Sequence, residues 1–283
     1  MKVSQTIKLA RKNVSAARKQ GKTIGLVPTM GALHRGHISL IEAAKKKCDY
    51  VVVSIFVNPT QFGPSEDFGK YPRPLEEDLK MCKKAGADLV FNPSVEEMYP
   101  EKNITWVNVE KITENLCGRS RPRHFRGVTT VCTKLFNIVA PDMAFFGQKD
   151  AQQAIVIKRM VADLNMPLKI IVCPTVREQS GLALSSRNKY LSEQEREDAA
   201  YIYKSLQKCK EMIDSGGRNT ETLINEMRNI LQQKKSIKIE YISIVDEKTL
   251  ENIDYIQDKA LAAVAVRIGS TRLIDNFPID ITR

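Results

Sequence analysis

The chain has 283 residues, 42% of them hydrophobic, and a formal net charge of +11 from 44 Lys and Arg against 33 Asp and Glu. This length predicts about two domains with a substantial core. The sequence has neither a long apolar run nor a secretory signal, which argues against a membrane or exported protein and favours a cytoplasmic one. The six cysteines lie 15 or more residues apart, which excludes a Cys-x-x-Cys zinc or redox motif. We interpret them as inert buried thiols, with a catalytic cysteine as the alternative.

The first predicted element is a basic amphipathic helix. Residues 1–47 carry eleven Lys and Arg and a single acid, Glu42. Apolar residues recur there every three or four positions before Gly21, which predicts a helix; they are Val3, Ile7, Ala10, Val14 and Ala17. We interpret the charge first as a solvated helix face, with an RNA-binding or phosphate-attracting surface and an Arg-rich transit peptide as the alternatives.

Short apolar runs then alternate with helical periods up to about residue 176. The runs that predict strands are 23–28, 50–59, 87–93, 142–146 and 168–176, and the stretches that predict helices are 37–48, 75–85, 127–139 and 150–164. Runs that are apolar at consecutive positions indicate strands covered on both faces, as in parallel sheets. Residues 1–178 are therefore predicted to form a Rossmann-like, doubly wound α/β domain with ligands outside the carboxyl ends of its strands.

A different pattern begins near residue 180. Ser192 and Glu195 form a capping-box signature for a helix to about residue 214, "SGGRN" interrupts the chain, and a second helix follows to about residue 234. Residues 237–246 and 261–269 alternate as strands of a small sheet do. Residues 179–283 are predicted to form a second, smaller α+β carboxyl-terminal domain.

The turn after the first predicted strand, "PTMGALHRGH", contains two of the three histidines of the chain. Small residues around Gly31 allow a ligand to come close, and a helix beginning near His34 would direct unpaired N–H groups at an anion. His34 and His37 share a helix face, so both imidazoles can bind one phosphate. Zinc is a disfavoured alternative because His-Glu-x-x-His is absent, and the turn contains neither a P-loop nor a G-x-G-x-x-G motif.

Two further polar segments follow predicted strands. In "FFGQKDAQQ", Gly147 permits close approach and the Lys149 cation suits a phosphate. Asp150 can cap the next helix or accept from a ribose hydroxyl, and Gln153 lies one turn further on. In "GLALSSRN", residues 181–188, two serine hydroxyls and an arginine can bind a polyphosphate. Taken alone each segment is an ordinary turn or loop, and its position after a strand is what favours a functional role.

The histidine turn and the serine-rich basic loop together resemble the nucleotidylyltransferase superfamily, which includes the class I aminoacyl-tRNA synthetases. Here the motifs are "HRGH" (34–37) and "LSSRN" (184–188). With "VNPTQFGPSEDFGKYPR", "HFRGVTTVCTKLFNIVAPDMAFFGQKDAQQ", "PTVREQSGLALSSRN" and "VRIGSTRLIDN", the chain is similar to the pantothenate synthetase, or pantoate-beta-alanine ligase, family. It departs from the family pattern at Ser180, where aspartate is more usual, and at Ala151, where some members have an aromatic residue.

The resemblance implies ATP-dependent ligation of (R)-pantoate and β-alanine to pantothenate through a pantoyl adenylate, with release of AMP and pyrophosphate. It implies catalytic roles for His34, His37, Lys149 and Arg187, with His37 as a proton donor. The implied ATP site consists of Met30, Gly31, His34, His37, Gly147, Lys149, Asp150, Val176, Leu184, Ser185, Ser186 and Arg187. The implied pantoate pocket consists of Asn58, Gln61, Tyr71, Arg121 and Gln153. Mg²⁺ would be carried mainly by the phosphates of ATP with help from Asp78, for which Glu76 and Glu77 are equally plausible substitutes.

The family is typically a homodimer, and the resemblance implies small-molecule substrates with neither nucleic acid nor a membrane as a partner. Two other functions stay open on the residues alone. Another adenylyl- or cytidylyltransferase would share the histidine turn but should have a cation-rich second site, whereas "VNPTQFG" supplies amides. A basic RNA-binding protein would explain the charge of residues 1–47, but the chain has no aromatic-rich stripe or basic tail.

Overall fold

A computed structural model describes residues 1–64 and 66–282. The strands are β1 (Lys2–Ser4), β2 (Ile24–Thr29), β3 (Tyr50–Ile55), β4 (Leu89–Phe91), β5 (Met143–Gly147), β6 (Lys169–Cys173), β7 (Ile237–Asp246), β8 (Lys259–Ile268) and β9 (Thr271–Asp280). The α-helices are α1 (Ile7–Arg18), α2 (Arg35–Lys45), α3 (Leu75–Lys84), α4 (Val95–Met98), α5 (Cys117–Ser120), α6 (His124–Val139), α7 (Ala151–Asp163), α8 (Glu193–Asp214) and α9 (Thr220–Gln232). Within these described residues, no helix has the length and apolar character needed to cross a membrane.

The chain divides into two compact units. The first unit consists of Met1–Glu110, Arg121–Gly147 and Val156–Pro174. The second consists of Lys111–Ser120, Gln148–Ile155 and the chain from Thr175 onward. The predicted domain boundary between residues 178 and 179 stays a prediction.

The first unit is built on a six-stranded parallel sheet with the order β1-β4-β3-β2-β5-β6. Consecutive residues of its central strands are fully buried, as Leu26 and Val27 in β2 and Val52 and Val53 in β3 show. This confirms the predicted doubly wound α/β fold, in which both faces of the sheet are covered. The strand order reverses between β2 and β5, so the residues that follow these two strands lie at the switch point where such sheets bind ligands.

The amino-terminal helix begins later than predicted. Residues Lys2–Ser4 form β1 and pair with β4 at the edge of the sheet, which leaves Val3 42% exposed. Helix α1 begins after Thr6, whose Oγ1 accepts the Leu9 N–H at 3.3 Å as an N-cap. The helical spacing of Val3 was misleading because strand pairing, a tertiary contact, outweighs local periodicity. Strands β3 and β6 also end earlier than predicted, at Ile55 and Cys173.

The second unit contains an antiparallel sheet with the order β7-β8-β9. Helix α8 begins with the predicted capping box of Ser192 and Glu195. Apolar residues of α8, α9 and the sheet form one buried cluster, which confirms a smaller α+β carboxyl-terminal part. Strand β9 was not predicted, because its sequence "TRLIDNFPID" combines charges with Pro278. Proline is tolerated there because β9 is an edge strand.

All six cysteines are buried as free thiols. Burial raises the pKa of Cys82, Cys132 and Cys209 to about 12. A thiol with such a pKa stays protonated at neutral pH and is a poor nucleophile. The structure therefore supports the interpretation of these three cysteines as inert packing residues.

Candidate active site

The two histidines after β2 cap the helix that follows them. His34 is the N-cap of α2, and its Nδ1 accepts the Gly36 N–H at 3.1 Å. The Nδ1 atom of His37 accepts the His34 N–H at 3.3 Å, which completes a reciprocal capping box. The two ring centroids are 4.1 Å apart. Because Nδ1 is an acceptor in both rings, we assign the proton of each neutral imidazole to Nε2.

This cap corrects one expectation from the sequence. The backbone N–H groups of His34 and Gly36 do not point unpaired at a ligand, because the two imidazoles accept them. Nδ1 of each ring therefore accepts a backbone N–H, and Nε2–H is the donor group of the ring. The helix terminus can act on an anion through the imidazoles, at the switch point that the sheet topology defines.

Asp78 of α3 holds the bend that precedes the histidines. Its side chain is buried, with the residue 1% exposed, and accepts the Ala32 N–H at 2.9 Å and the Leu33 N–H at 2.7 Å. Gly31 has a φ of +82°, and a Cβ there would lie 2.9 Å from Asp78 Oδ2 and 3.1 Å from Ile55 Cγ2. The bend therefore requires glycine for both its backbone conformation and the space beside the carboxylate.

The predicted Mg²⁺ role of Asp78 stays a prediction. Across residues 1–64 and 66–282, no three His, Cys, Asp or Glu side chains are grouped as a metal site. Glu76 and Glu77 are exposed, while both oxygens of Asp78 accept backbone N–H groups. Mg²⁺ usually retains waters and needs only one or two carboxylates beside substrate phosphates. This set of side chains fits an ion carried mainly by ATP, with at most one carboxylate assisting.

Asn58 organises the turn that follows β3. The residue is 1% exposed, and its Nδ2 donates to Gln61 Oε1 at 3.1 Å and to the Gly127 carbonyl at 3.2 Å. Its Oδ1 accepts from the Thr60 hydroxyl at 2.9 Å and the Tyr99 hydroxyl at 3.0 Å. These contacts occupy the carboxamide and give Asn58 a clear part in shaping the turn. Direct contact of Asn58 with a substrate stays a prediction.

Gln61 joins this turn to the histidine turn. Its Nε2 donates to the sulfur of Met30 at 3.1 Å, so the structure brings a residue predicted for pantoate next to one predicted for ATP. Tyr71, another predicted pocket residue, is 5% exposed and packs edge to face on Phe62 with ring centroids 6.1 Å apart.

Gly147 ends β5, and a Cβ there would meet no atom of the described residues within 4 Å.

The third histidine, which sequence reasoning missed, contacts the predicted pantoate pocket. His124 Nδ1 lies 2.9 Å from the Gln61 carbonyl, and Arg121 Nη1 lies 3.1 Å from His124 Nε2. Arg121 also makes a two-pronged ion pair with Glu66, with both N···O distances at 2.6 Å. Burial raises the pKa of Glu66, but the hydrogen bonds and charge of Arg121 outweigh it and hold that pKa below its usual value. No local pattern in "RPRH" could have revealed these contacts.

In the second unit, the predicted residues after β5 form a short turn. Lys149 Nζ lies 3.4 Å from Asp150 Oδ1. Gln153, in the first turn of α7, is partly buried. Its neighbour Gln152, which was not predicted, donates to the carbonyls of Ile112 at 3.0 Å and Asn115 at 2.7 Å. Gln152 therefore anchors the segment before α5, whereas Gln153 stays a predicted substrate contact.

The serine-rich loop also belongs to the second unit. Leu184 N–H donates to the Val176 carbonyl at 3.0 Å, which pairs two residues predicted for the nucleotide. Ser185 Oγ accepts the Arg187 N–H at 3.3 Å and caps the short 3-10 helix that begins at Ser186. The structure thus places Val176 and Leu184–Arg187 on one hairpin and its following turn. That a single triphosphate contacts both this loop and the histidine turn stays a prediction.

A parallel α/β sheet with a paired-histidine helix cap at its switch point places the chain in the class of doubly wound α/β proteins, which bind ligands beyond the carboxyl ends of their strands. The family model described as pantoate-beta-alanine ligase matches residues 2–278. The chain therefore belongs to the pantoate-beta-alanine ligase family.

Relatives and solved structures agree with this assignment over nearly the whole chain. A pantothenate synthetase of Thermoanaerobacter pseudethanolicus is 56% identical over 277 residues, or 98% of each chain. The crystal structure of the pantothenate synthetase of Thermus thermophilus has a TM-score of 0.93 at 43% identity and covers 98% of this chain and 99% of that one. A pantoate-beta-alanine ligase of Francisella tularensis, complexed with beta-gamma ATP and beta-alanine, has a TM-score of 0.81 at 40% identity and covers 98% and 97%.

Proposed function

We propose that this chain joins (R)-pantoate to β-alanine at the expense of ATP, forming pantothenate, AMP and pyrophosphate. In the first step a pantoate carboxylate oxygen bonds to the α-phosphorus, and the bond from that phosphorus to the bridging oxygen of pyrophosphate breaks. In the second step the amine of β-alanine attacks the acyl carbon of pantoyl adenylate, AMP leaves and the amine loses a proton. Family membership supports this reaction, and neither step requires an enzyme nucleophile.

The capping box of the two histidines is the observation that carries the proposal for the site. It uses Nδ1 of each ring as an acceptor and so favours the tautomer in which His34 and His37 each carry an Nε2–H donor. Two preorganised donors suit the phosphate oxygens on which negative charge develops. Each hydrogen bond to a charged group contributes about 1.5 to 3 kcal/mol.

The residues of the second unit supply the remaining contacts to ATP in this proposal. Lys149 and Arg187 neutralise charge on the phosphates, because an ammonium and a guanidinium are both suited to binding phosphate oxygens. Asp150 accepts from a ribose hydroxyl. The remaining nucleotide contacts come from Gly147, Val176, Leu184, Ser185 and Ser186, with Met30 and Gly31 at the histidine turn.

Pantoate binds in this proposal at the amide-rich turn after β3. Gln61 contacts it, because a carboxamide can both donate and accept and so matches a substrate with hydroxyls and a carboxylate. Tyr71, Gln153 and Arg121 complete the pocket. Arg121 makes a two-pronged pair with the carboxylate of Glu66, and a guanidinium can bind the carboxylate of a substrate in the same way. Asn58 contributes by shaping the turn.

The cofactor and the assembly complete the proposal. Asp78 would be the carboxylate that assists Mg²⁺ bound to ATP, and the ion would supply charge neutralisation at the phosphates. The protein is a cytoplasmic homodimer, as is typical of the family. The apolar run of β3 does not support a dimer contact by itself, since β3 lies inside the sheet between β2 and β4. Mass measurement in solution tests the dimer.

Isotope exchange between pyrophosphate and ATP tests the reaction. Exchange should require pantoate but not β-alanine, and the complete reaction should release AMP instead of ADP. Exchange without pantoate would indicate another nucleotidylyltransferase. No exchange in the presence of pantoate would overturn the adenylate route.

A further inference from the structure

Asn276 of β9 holds the turn that contains Lys149. Its side-chain Nδ2 donates to the carbonyls of Gln148 at 3.0 Å and Lys149 at 2.8 Å. Its Oδ1 accepts from Gln148 Nε2 at 2.9 Å. The residue is 5% exposed, so water does not readily replace these bonds. Both hydrogens and the oxygen of one carboxamide are therefore used to fix this turn.

The preceding residue, Asp275, holds the hairpin that leads to Arg187. Its carboxylate, in a residue 4% exposed, makes a two-pronged ion pair with Arg177. The guanidinium of Arg177 also donates to the Gly181 carbonyl at 3.1 Å and lies 3.9 Å over the ring of Tyr203. Arg177 pairs with Ala183 across the hairpin. Asp275 thereby fixes the segment between Val176 and Leu184.

We propose that Asp275 and Asn276 position ATP without touching it, by anchoring its two binding segments of the second unit to adjacent residues of one strand. This inference rests on the proposed assignment of those segments to ATP. Asp275 Oδ1 also accepts the Asn276 N–H at 2.8 Å, so the two anchors are coupled to each other. The Lys149 turn and the serine-rich loop then keep a fixed separation, which is what recognition of one extended polyphosphate requires.

The test is the substitution Asn276→Asp, which preserves side-chain size but replaces the Nδ2 donor with a carboxylate oxygen that faces the two carbonyls. We expect the KM for ATP in pyrophosphate exchange to rise by about tenfold or more, because two partly buried carbonyls lose their donor. The KM for pantoate should rise less than the KM for ATP, because Gln61, Tyr71 and Arg121 lie in the first unit and Gln153 is the one proposed pantoate contact in the second. Gln148→Ala removes only the contact to Asn276 Oδ1, and it should raise the KM for ATP less. If Asn276→Asp fails to fold, Gln148→Ala still tests the contact between Asn276 and the turn.

Asn219→Ala is the matched control. Asn219 is the N-cap of α9 in the same unit, and its Oδ1 accepts the Thr222 N–H at 2.9 Å. Removing this N-cap should lower the free energy of unfolding without changing the KM for ATP. An equal rise in that KM for Asn219→Ala and Asn276→Asp would show a merely structural role and overturn the proposal.

Lys149→Ala and Arg187→Ala, measured in parallel, distinguish the assignment of the two segments to ATP from the positioning role of Asp275 and Asn276. If both raise the KM for ATP but the Asn276 and Gln148 substitutions do not, the positioning role is wrong and the assignment of the segments stands. If neither Lys149→Ala nor Arg187→Ala affects ATP, the assignment fails and the positioning role with it. A rise in the KM for ATP in all four variants, with a smaller effect on the KM for pantoate, supports both.

Discussion

Replacing Asp78 with asparagine tests whether this carboxylate shapes the histidine turn. The two hydrogen bonds from Ala32 and Leu33, at 2.9 and 2.7 Å, end on different oxygens. Asparagine can accept only one of them, and its amide group would face the other N–H. The lost charged hydrogen bond and the unpaired buried donor together cost about 3 to 5 kcal/mol. Relief from burying a charge reduces the expected loss to about 2 to 4 kcal/mol.

The same substitution should slow adenylation. The bend leads directly into His34, so a change in its backbone displaces both Nε2–H donors. A misplacement of about 1 Å can cost about 10²-fold in rate. We therefore expect Asp78→Asn to lower kcat for pyrophosphate exchange by about that factor, alongside a lower free energy of unfolding in urea. Lys84→Gln, at an exposed position of the same helix, is the control and should change neither.

Magnesium dependence distinguishes the two roles of Asp78. If its main role is at the turn, excess Mg²⁺ should not restore the rate of Asp78→Asn. If its main role is at the ion, stability should be nearly unchanged and high Mg²⁺ should recover the rate. Wild-type stability together with Mg²⁺ rescue would refute the reasoning about the turn.

Three further predictions concern the remaining polar groups. His37→Gln keeps an N–H donor near the position of Nε2, whereas His37→Ala removes it and should lower the exchange rate by about 10²- to 10³-fold. We therefore expect His37→Gln to retain more exchange activity. Equal losses in the two variants would contradict the donor role. Lys149→Ala and Arg187→Ala should each lose at least about 10²-fold, and wild-type turnover in either would refute its assignment. The pKa of Glu66 is lowered, so its pair with Arg121 stabilises the fold fully above the ordinary pKa of 4.5 and less as pH falls below it. Urea unfolding of Glu66→Gln should therefore vary less with acid pH than that of the wild type, and identical profiles would rule this out.

The central fold could be predicted from the sequence because its signals are local. Consecutive apolar residues in β2 and β3 identify strands buried on both faces, and Ser192 with Glu195 identifies the start of α8. The two strands that were not predicted lie at the edges of the two sheets. Strands β1 and β9 each pair on one side only, so their sequences carry exposed and charged residues that hide the strand pattern. Their formation depends on a partner strand that the local sequence does not specify.

The candidate site could be predicted in its residue types but not in its supporting contacts. Histidine, lysine and arginine at strand ends point to a phosphate ligand wherever the fold places them. The roles of Asp78 and His124 depend instead on partners distant in sequence. Asp78 binds N–H groups 45 and 46 positions away, and His124 contacts a carbonyl 63 positions away. Such pairings follow from the packing of α3 and α6, which no short motif encodes.

The geometry of the two histidines bears on the predicted role of His37 as a proton donor. An imidazolium has no lone pair on Nδ1, so protonating His37 would break its bond to the His34 N–H. A neutral ring that gave up its Nε2 proton would become an anion beside a polyphosphate. Both routes carry a cost that hydrogen-bond donation avoids. The displacement of pyrophosphate by a carboxylate transfers no proton to or from the acid, so neutral donors are sufficient for the first step. The hydrogen bonds of the turn therefore favour His37 as a hydrogen-bond donor in the proposed site over a role as a proton donor.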